Sequence, residues 1–304
     1  MPLPILLASN DPDFSQDVKA EFQAQHPDVD VYLLGEVGAE QAVLAACWRP
    51  PATLLKEYPN LKILHALSAG ADHLGKDLLT SGLPVCRIVD NEQKHGMLEY
   101  ILWGTLNHQR DFELYRNQQA QHTWQTAKQR YTSEIQITLL GLGEIGSYVA
   151  QQLAQFGYKV NGWNRSLKNI PGVSCFDSNT SLDPLLAETD ILVNLLPLTQ
   201  ATKGILSKSL LDKLPPASYL INCGRGGHMV ADDLIDAVES GHLKGALLDV
   251  FDEEPLPHDN PLWSTKGIVI TPHIASSSSY STIVNQVVEN MALFESGKPL
   301  KNLI

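Results

Sequence analysis

The 304-residue sequence has few cysteines, an excess of acidic over basic residues and no long apolar run. Its four cysteines are scattered without a CxxC pair, a pattern typical of a reduced, cytoplasmic protein with neither disulfides nor structural zinc. The net charge of −12 and the pI near 5.2 argue against nucleic acid or anionic membrane as the main partner. No run approaches the length of a membrane span, and the first residues predict a buried strand rather than a signal peptide.

Short apolar runs alternate with amphipathic stretches in two successive series, which predicts two doubly wound parallel α/β sheets. The candidate strands of the first series are Ile5–Ser9, Val29–Leu34, Val43–Ala46, Ile63–Leu67 and Val85–Val89. Those of the second are Ile135–Leu140, Tyr158–Trp163, Ile191–Leu196, Tyr219–Asn222, Ala246–Val250 and Ile268–Thr271. A long amphipathic segment, Met97–Gln119, precedes the second series, and a last helix, Ser279–Phe294, is expected to return to the first domain. We therefore expect a discontinuous substrate-binding domain (1–98 and 276–304), a dinucleotide-binding domain (99–275) and a cleft between them.

The stretch from Ile135 to Gly146, IQITLLGLGEIG, carries the strongest local signal. A strand runs into three glycines, and an apolar, helix-competent segment, Ser147–Phe156, follows. Glu144 and Ile145, which lie between the second and third glycines, are predicted to bind the cofactor with them. Gly141 permits the tight turn, Gly143 lets a pyrophosphate approach the backbone, and Gly146 lets the helix pack on the strand. The helix N-terminus can then hold the phosphate charge. Glycine triplets also occur in ordinary α/β turns, but the flanking strand and helix favour a dinucleotide site.

The second strand of this series ends without the carboxylate that binds the ribose 2′-hydroxyl of NAD. Asn164 stands in the place of that acid, and Arg165 and Ser166 follow it. A guanidinium and a hydroxyl can bind a 2′-phosphate that a carboxylate would repel. The sequence therefore predicts NADPH as the cofactor, with NADH weaker, although Arg165 taken alone is also typical of a solvated surface residue.

Three later stretches place charged or titratable residues just after predicted strands, where doubly wound folds bind their ligands. They are INCGRGG (221–227), DVFDEEPLP (249–257) and TPHIA (271–275). Together with GLGEIG, in this order, they resemble the D-isomer-specific 2-hydroxyacid dehydrogenase family over nearly the whole chain. WRPP (48–51), LLP (195–197), RGGHMVADDL and EPLPHDNPLW are most similar to its glyoxylate/hydroxypyruvate reductase A type.

The resemblance implies a fold and a reaction. The fold is a Rossmann cofactor domain with a flavodoxin-like substrate domain, in a homodimer to which the segment Met97–Trp124 could contribute contacts. The reaction is reduction of small 2-oxo acids, with glyoxylate and hydroxypyruvate as first candidates. Nicotinamide supplies the hydride, so no metal or protein nucleophile is required.

The resemblance also implies a catalytic set of Arg225, Glu254 and His273. His273 can protonate the carbonyl oxygen as a general acid, and Glu254 can orient its ring. Arg225 is a fixed cation that can hold the substrate carboxylate and polarise the carbonyl. Each residue alone is unremarkable, since a single histidine after Thr-Pro is usually a surface or capping residue. Their joint appearance after strand ends is what favours catalysis.

Further site residues follow from the same resemblance. The substrate set adds Trp48 and the loop residues Ala69 and Gly70, whose backbone N–H groups can approach a carboxylate closely. The cofactor set adds residues after the later strands: Leu196, Pro197, Cys223, Gly224 and Asp249.

Two alternatives remain open on the sequence. A dinucleotide-sensing regulatory protein of the same fold would keep the motifs, but the sequence lacks basic patches and a disordered interaction tail. Formate oxidation is disfavoured, because the matching family members pair their histidine with glutamine and Glu254 stands here. The serine run Ser276–Ser279 departs from the family pattern. The histidines other than His273 are interpreted as structural or exposed.

Overall fold

The computed structural model describes residues 3–304 and divides into two units. Unit 1 contains the residues up to Glu92 together with Ser277–Ile304, and unit 2 contains Gln93–Ser276. Within residues 3–304, no helix is long and apolar enough to cross a membrane.

The strands, in chain order, are β1 (Ile5–Ser9), β2 (Val31–Leu33), β3 (Leu44–Trp48), β4 (Ile63–Ala66), β5 (Val85–Cys86), β6 (Gln136–Leu140), β7 (Lys159–Trp163), β8 (Ser174–Phe176), β9 (Ile191–Asn194), β10 (Ser218–Asn222), β11 (Leu243–Leu248) and β12 (Ile268–Ile270). The helices are α1 (Pro12–Gln25), α2 (Leu54–Glu57), α3 (Lys76–Leu79), α4 (Asn91–Gln109), α5 (Phe112–Ala120), α6 (Glu144–Gln155), α7 (Asp183–Leu186), α8 (Lys208–Leu211), α9 (Ala231–Glu239) and α10 (Tyr280–Glu295). Single 3₁₀ turns lie between them.

Unit 1 is built on a five-stranded parallel sheet in the order β2-β1-β3-β4-β5. Alternate residues of its strands enter two separate cores, because both faces of the sheet are covered. Ile5 and Leu7 pack with α1 and α10 on one face, whereas Leu6 and Ala8 pack with α2 and α3 on the other. The return of the last helix to unit 1 follows from this packing.

Unit 2 is built on a seven-stranded parallel sheet in the order β12-β11-β10-β9-β6-β7-β8. Its order reverses beside β6, so the first strand of the unit lies between β7 and β9. The carboxyl ends of β6, β9, β10 and β11 therefore meet at one edge of the sheet. This is the point where doubly wound folds bind ligands.

Two details of the chain differ from the sequence prediction. The segment Met97–Gln119 is not one continuous element, because α4 ends at Gln109 and α5 begins at Phe112, with Asp111 in the left-handed conformation between them (φ 55°). The short strand β8 was not predicted, and its SCF sequence is too brief to show a period.

Candidate active site

The glycine turn between β6 and α6 has the geometry that a dinucleotide requires. Gly141 has φ +102°, and a Cβ there would meet the Leu195 carbonyl oxygen at 2.7 Å. A Cβ on Gly146 would meet the Gly141 oxygen at 2.0 Å, so only glycine lets the helix pack this close to the turn. A Cβ on Gly143, by contrast, would meet nothing within 4 Å. The turn thus leaves open space where a pyrophosphate would approach the helix N-terminus, and the three residues fit the predicted cofactor.

The first turn of α6 is fixed from inside unit 2. Lys94 Nζ lies 3.2 Å from Glu144 Oε2 and anchors the exposed start of the helix. Ile145 packs against the core beneath the turn. Glu144 and Ile145 thus both lie in the first turn of α6, and the Glu144 carboxylate has a cationic neighbour.

The tip after β7 presents Arg165 and Ser166 to solvent. Asn164 points back to the glycine turn, because its Oδ1 accepts the Leu142 N–H at 3.3 Å and its Nδ2 donates to the Ser166 carbonyl at 3.1 Å. Ser178 Oγ donates to the Arg165 carbonyl at 3.0 Å. Asn164 therefore couples the glycine turn to the strand tip, and the exposed hydroxyl and guanidinium follow it.

The residues predicted after β9 and β10 differ in exposure. Leu196 and Cys223 are 6% and 7% exposed and belong to the apolar cores of the sheet, whereas Pro197 is exposed. Burial raises the pKa of the Cys223 thiol well above its ordinary value, so this thiol is an apolar packing group rather than a nucleophile.

Arg225 begins a tight 3₁₀ turn directly after β10. Its Nη1 donates to the Gly224 carbonyl at 2.7 Å, and its backbone N–H donates to His228 Nδ1 at 3.1 Å. A Cβ on Gly226 would lie 1.8 Å from the Phe251 carbonyl carbon and 2.1 Å from Asp252 N. Glycine at this position thus lets the arginine turn lie against the main chain that leads to Glu254.

His273 and Glu254 form a direct pair. His273 Nδ1 lies 3.0 Å and 3.2 Å from the two carboxylate oxygens of Glu254. Glu254 Oε1 also accepts the Phe251 N–H at 3.1 Å, which fixes the carboxylate. An ionised carboxylate can only accept, so Nδ1 carries the proton in this pair and the ring presents Nε2 for exchange with a ligand.

Asp249 holds the loop that carries His273. Its carboxylate, on a residue 2% exposed, accepts the N–H groups of Ile274 and Ala275 at 2.8 and 2.9 Å. It also accepts the Thr271 hydroxyl at 2.7 Å, and its carbonyl accepts the His273 N–H at 2.9 Å. Asp249 was predicted to lie near the nicotinamide amide. These contacts assign it a structural task at the same strand end.

The substrate residues predicted in the other unit follow β3 and β4. The Trp48 ring lies 5.7 Å from Phe14 and 4.8 Å from His73 between centroids, and the Arg49 guanidinium lies 5.6 Å above it. A cavity of about 390 Å³ is lined by Asn10, Asp11, Pro12, Trp48 and Arg49.

The loop after β4 is held by its carbonyl groups. Arg87 Nη1 donates to the Ala69 carbonyl at 3.3 Å, and Ser68 Oγ donates to the Gly70 carbonyl at 2.7 Å. Ala69 and Gly70 belong to unit 1, as Trp48 does.

Comparison with known proteins assigns the chain to a family. Residues 102–275, more than half of the chain, match the family model described as D-isomer specific 2-hydroxyacid dehydrogenase, NAD binding domain. The chain belongs to the D-isomer-specific 2-hydroxyacid dehydrogenase family. A family protein from Klebsiella pneumoniae 342 is 47% identical, with a TM-score of 0.95, over 100% of this chain and 98% of that chain.

Two further solved members of the family contain cofactor. One from Xanthobacter autotrophicus Py2, in complex with NADPH and MES, is 36% identical with a TM-score of 0.91, covering 100% of this chain and 98% of that chain. An NADPH-dependent glyoxylate/hydroxypyruvate reductase from Sinorhizobium meliloti, in complex with NADP and sulfate, is 32% identical with a TM-score of 0.91, covering 99% and 98%. The predicted family and the α/β fold of two parallel sheets are thereby confirmed.

Sequence reasoning missed several residues that shape the site of this 2-hydroxyacid dehydrogenase-family chain. His228, interpreted only as structural or exposed, is fully buried and accepts the backbone N–H of Arg225, a contact with a site residue that was not predicted. Its place three residues after the arginine was the available signal. Asn194, Asn222 and Thr271 were not singled out, because a polar residue at a strand end carries no information until its partners are known.

Proposed function

We propose that this chain reduces small 2-oxo acids to 2-hydroxy acids with NADPH, and that glyoxylate and hydroxypyruvate are among its substrates. The observation that carries the proposal is the His273–Glu254 pair, at 3.0 Å, at the same edge of the sheet as the glycine turn. A solved relative with 32% identity is an NADPH-dependent glyoxylate/hydroxypyruvate reductase, which supports this substrate class.

NADPH is proposed as the cofactor, with NADH used more weakly. Relatives from Xanthobacter autotrophicus and Sinorhizobium meliloti contain NADPH or NADP. In this chain the β7 tip carries the exposed Arg165 and Ser166, and Asn164 in place of an acid. A fixed cation and a hydroxyl favour a 2′-phosphate. When bound, NADPH supplies the hydride that reduces the carbonyl carbon.

The roles of the three polar residues follow from the charge that develops during reduction. His273, when protonated on both ring nitrogens, donates its Nε2 proton to the carbonyl oxygen as negative charge grows there, and it keeps the proton on Nδ1. Glu254 holds Nδ1–H at 3.0 Å and thereby fixes the ring plane. Arg225, whose guanidinium keeps its charge at any working pH, binds the substrate carboxylate and polarises the carbonyl. In other enzymes, removal of one preorganised donor of this kind raises the activation barrier by about 3–4 kcal/mol.

Trp48, Ala69 and Gly70 are proposed to contact substrate. The cavity beside Trp48 and the carbonyl-anchored loop of Ala69 and Gly70 support this role, since an anchored loop can offer its N–H groups to a carboxylate without rearrangement. Arg49 also lines the cavity, so it is a candidate for setting which 2-oxo acid is preferred.

The test is a rate panel of 2-oxo acids with NADPH and with NADH. We expect turnover of glyoxylate and hydroxypyruvate, faster with NADPH at equal cofactor concentration. Negligible turnover over the whole panel, with NADPH binding retained, would instead support the dinucleotide-sensing alternative.

We also propose that the protein is a cytoplasmic homodimer. Four large apolar side chains on α4, α5 and the segment that follows are exposed, namely Trp103, Phe112, Leu114 and Trp124, the last at 97%. Large apolar side chains exposed on one short stretch of chain are consistent with an interaction surface. Sedimentation equilibrium should give a dimer, and Trp124→Glu should weaken it without unfolding the chain. A monomeric wild type at micromolar concentration contradicts the proposal.

A further inference from the structure

Three fully buried polar side chains lie beneath the arginine turn of unit 2. Asn194 ends β9, Asn222 ends β10, and His228 closes the 3₁₀ turn, each with 0% exposure. Asn194 and Asn222 are directly opposite each other in the pairing of the two strands. Burial of three polar groups together is unfavourable unless they form hydrogen bonds, so the partners of each group decide what the arrangement does.

The donors fix the state of the His228 ring. Its Nδ1 lies 3.1 Å from the Arg225 backbone nitrogen and 2.9 Å from Asn194 Nδ2. A backbone N–H and an amide NH₂ can only donate, so Nδ1 is the acceptor of both. The ring is therefore the neutral tautomer with its proton on Nε2.

The two asparagines extend the network to the rest of the turn. Asn194 Nδ2 donates to Asn222 Oδ1 at 2.9 Å, and that oxygen also accepts the Gly224 N–H at 3.2 Å. Asn222 Nδ2 donates to the Arg225 carbonyl at 3.4 Å. Both backbone polar groups of Arg225 are thus tied to the ends of two central strands. A Cβ on Gly224 would lie 2.6 Å from Asn194 Nδ2, so the network fills the space under the turn.

We propose that His228 is a positioning residue for Arg225: by accepting the Arg225 N–H through Nδ1, it aims the guanidinium at the substrate carboxylate. The inference rests on the proposed function, in which Arg225 binds that carboxylate. The backbone of Arg225 determines where its side chain starts, and a displacement of about 1 Å at a positioned group can cost about 10²-fold in rate. His228 itself touches neither substrate nor cofactor in this role.

The matched pair His228→Asn and His228→Leu tests the role of the acceptor. Asparagine places Oδ1 the same number of bonds from Cα as Nδ1, whereas leucine has a similar branched shape and no acceptor. We expect His228→Leu to lower kcat/KM for glyoxylate by about 10²-fold, with a raised KM, while the Kd for NADPH changes little. We expect His228→Asn to recover most of that loss. Equal defects in the two variants overturn the proposal.

Ser218→Ala is the control for a merely structural effect. Ser218 lies at the other end of β10, is 2% exposed, and its Oγ donates to the carbonyl groups of Thr189 and Pro215. Its loss should lower Tm and leave KM unchanged. If His228→Leu likewise lowers Tm but leaves KM and kcat/KM unchanged, His228 is structural and the positioning role is wrong.

Two measurements separate this inference from the proposed function. In wild-type protein labelled with ¹⁵N-histidine, the Nδ1 signal of His228 should be that of an unprotonated nitrogen; a protonated Nδ1 overturns the inference whatever the activity. Calorimetric binding of oxalate, a carboxylate that hydride cannot reduce, to the NADPH complex should weaken about 10-fold or more in His228→Leu only. Absence of wild-type turnover with every 2-oxo acid would refute the proposed function instead.

Discussion

His273 has an uncommon backbone conformation for a residue with a side chain. Its φ of 55° lies in the left-handed region, which costs of order 1 kcal/mol or more for a residue other than glycine. Four hydrogen bonds to the carboxylate and carbonyl of Asp249 hold the loop in this conformation. This backbone conformation places the imidazole next to Glu254, so the proposed proton donor is already oriented before substrate binds.

His273→Gln removes the proposed proton donor while keeping a polar side chain. We expect kcat for 2-oxo acid reduction to fall by about 10²–10⁴-fold, because no group then protonates the carbonyl oxygen. The Kd for NADPH should stay within a few-fold of wild type. Steady-state rates and fluorescence titration measure the two effects, and retained reduction would remove His273 from its role.

Arg165→Asp tests the cofactor assignment at a single exposed side chain. The new carboxylate should repel the 2′-phosphate, so kcat/KM with NADPH should fall by about 10–100-fold while that with NADH changes little. Lys159→Asp makes the same charge change at the opposite end of β7 and should affect neither cofactor. Equal losses of kcat/KM with NADPH and NADH would show that Arg165 does not bind the 2′-phosphate.

Among elements, the strand ends of unit 2 explain how distant sequence motifs form one site. The motifs INCGRGG (221–227), DVFDEEPLP (249–257) and TPHIA (271–275) lie at the carboxyl ends of three strands that are neighbours in the sheet. Parallel pairing brings their carboxyl ends to one edge, which is why position after a strand was a useful guide to the site. The contact between Gly226 and the chain at Phe251 then brings two of these loops together.

Gly226→Ala should disrupt that contact between loops. The added methyl group would lie 1.8 Å from main-chain atoms, which cannot rotate away. We expect a loss of about 1–3 kcal/mol in unfolding free energy and a larger fall in kcat/KM than in NADPH affinity. Gly96→Ala is the comparison, because its methyl would make only ordinary contacts at 3.7 Å in helix α4. Wild-type kinetics for Gly226→Ala would mean that the loops need not approach so closely.

For the whole molecule, two buried histidines make stability depend on pH. Burial lowers the pKa of His65 in unit 1 and of His108 in unit 2 from 6.5 to about 4. Above pH 6.5 these histidines are neutral in the folded and unfolded chains, so they do not alter stability. Between that pH and about 4, the unfolded chain binds protons that the folded chain excludes, and stability falls.

We expect each histidine to contribute a slope of up to about 1.4 kcal/mol per pH unit across this window. Urea unfolding at several pH values should show the loss of stability. His108→Phe should reduce the slope of unfolding free energy against pH by the contribution of one histidine, up to about 1.4 kcal/mol per pH unit. His242→Phe, at a half-buried histidine, is the comparison. An unchanged slope in His108→Phe would mean that His108 titrates alike in both states.

The sequence by itself determined the fold class, the glycine turn and the family. These features depend on short-range patterns: apolar runs of strand length, a strand–glycine–helix order, and charged residues directly after strands. It also predicted Arg225, Glu254 and His273 as a set, of which the His273–Glu254 contact is now described.

Only the tertiary structure decided what the residues around that set do. Asn164 bends back to the glycine turn and Asp249 anchors the His273 loop, each through a partner many residues away. His228 supports the Arg225 backbone and also contacts Asn194, at the end of another strand. The hydrogen-bond partner of a buried polar group is set by sheet order and loop packing, and a local pattern contains neither. Cys223 and Leu196 show the same limit, because their burial in the core follows from which face of the sheet is covered.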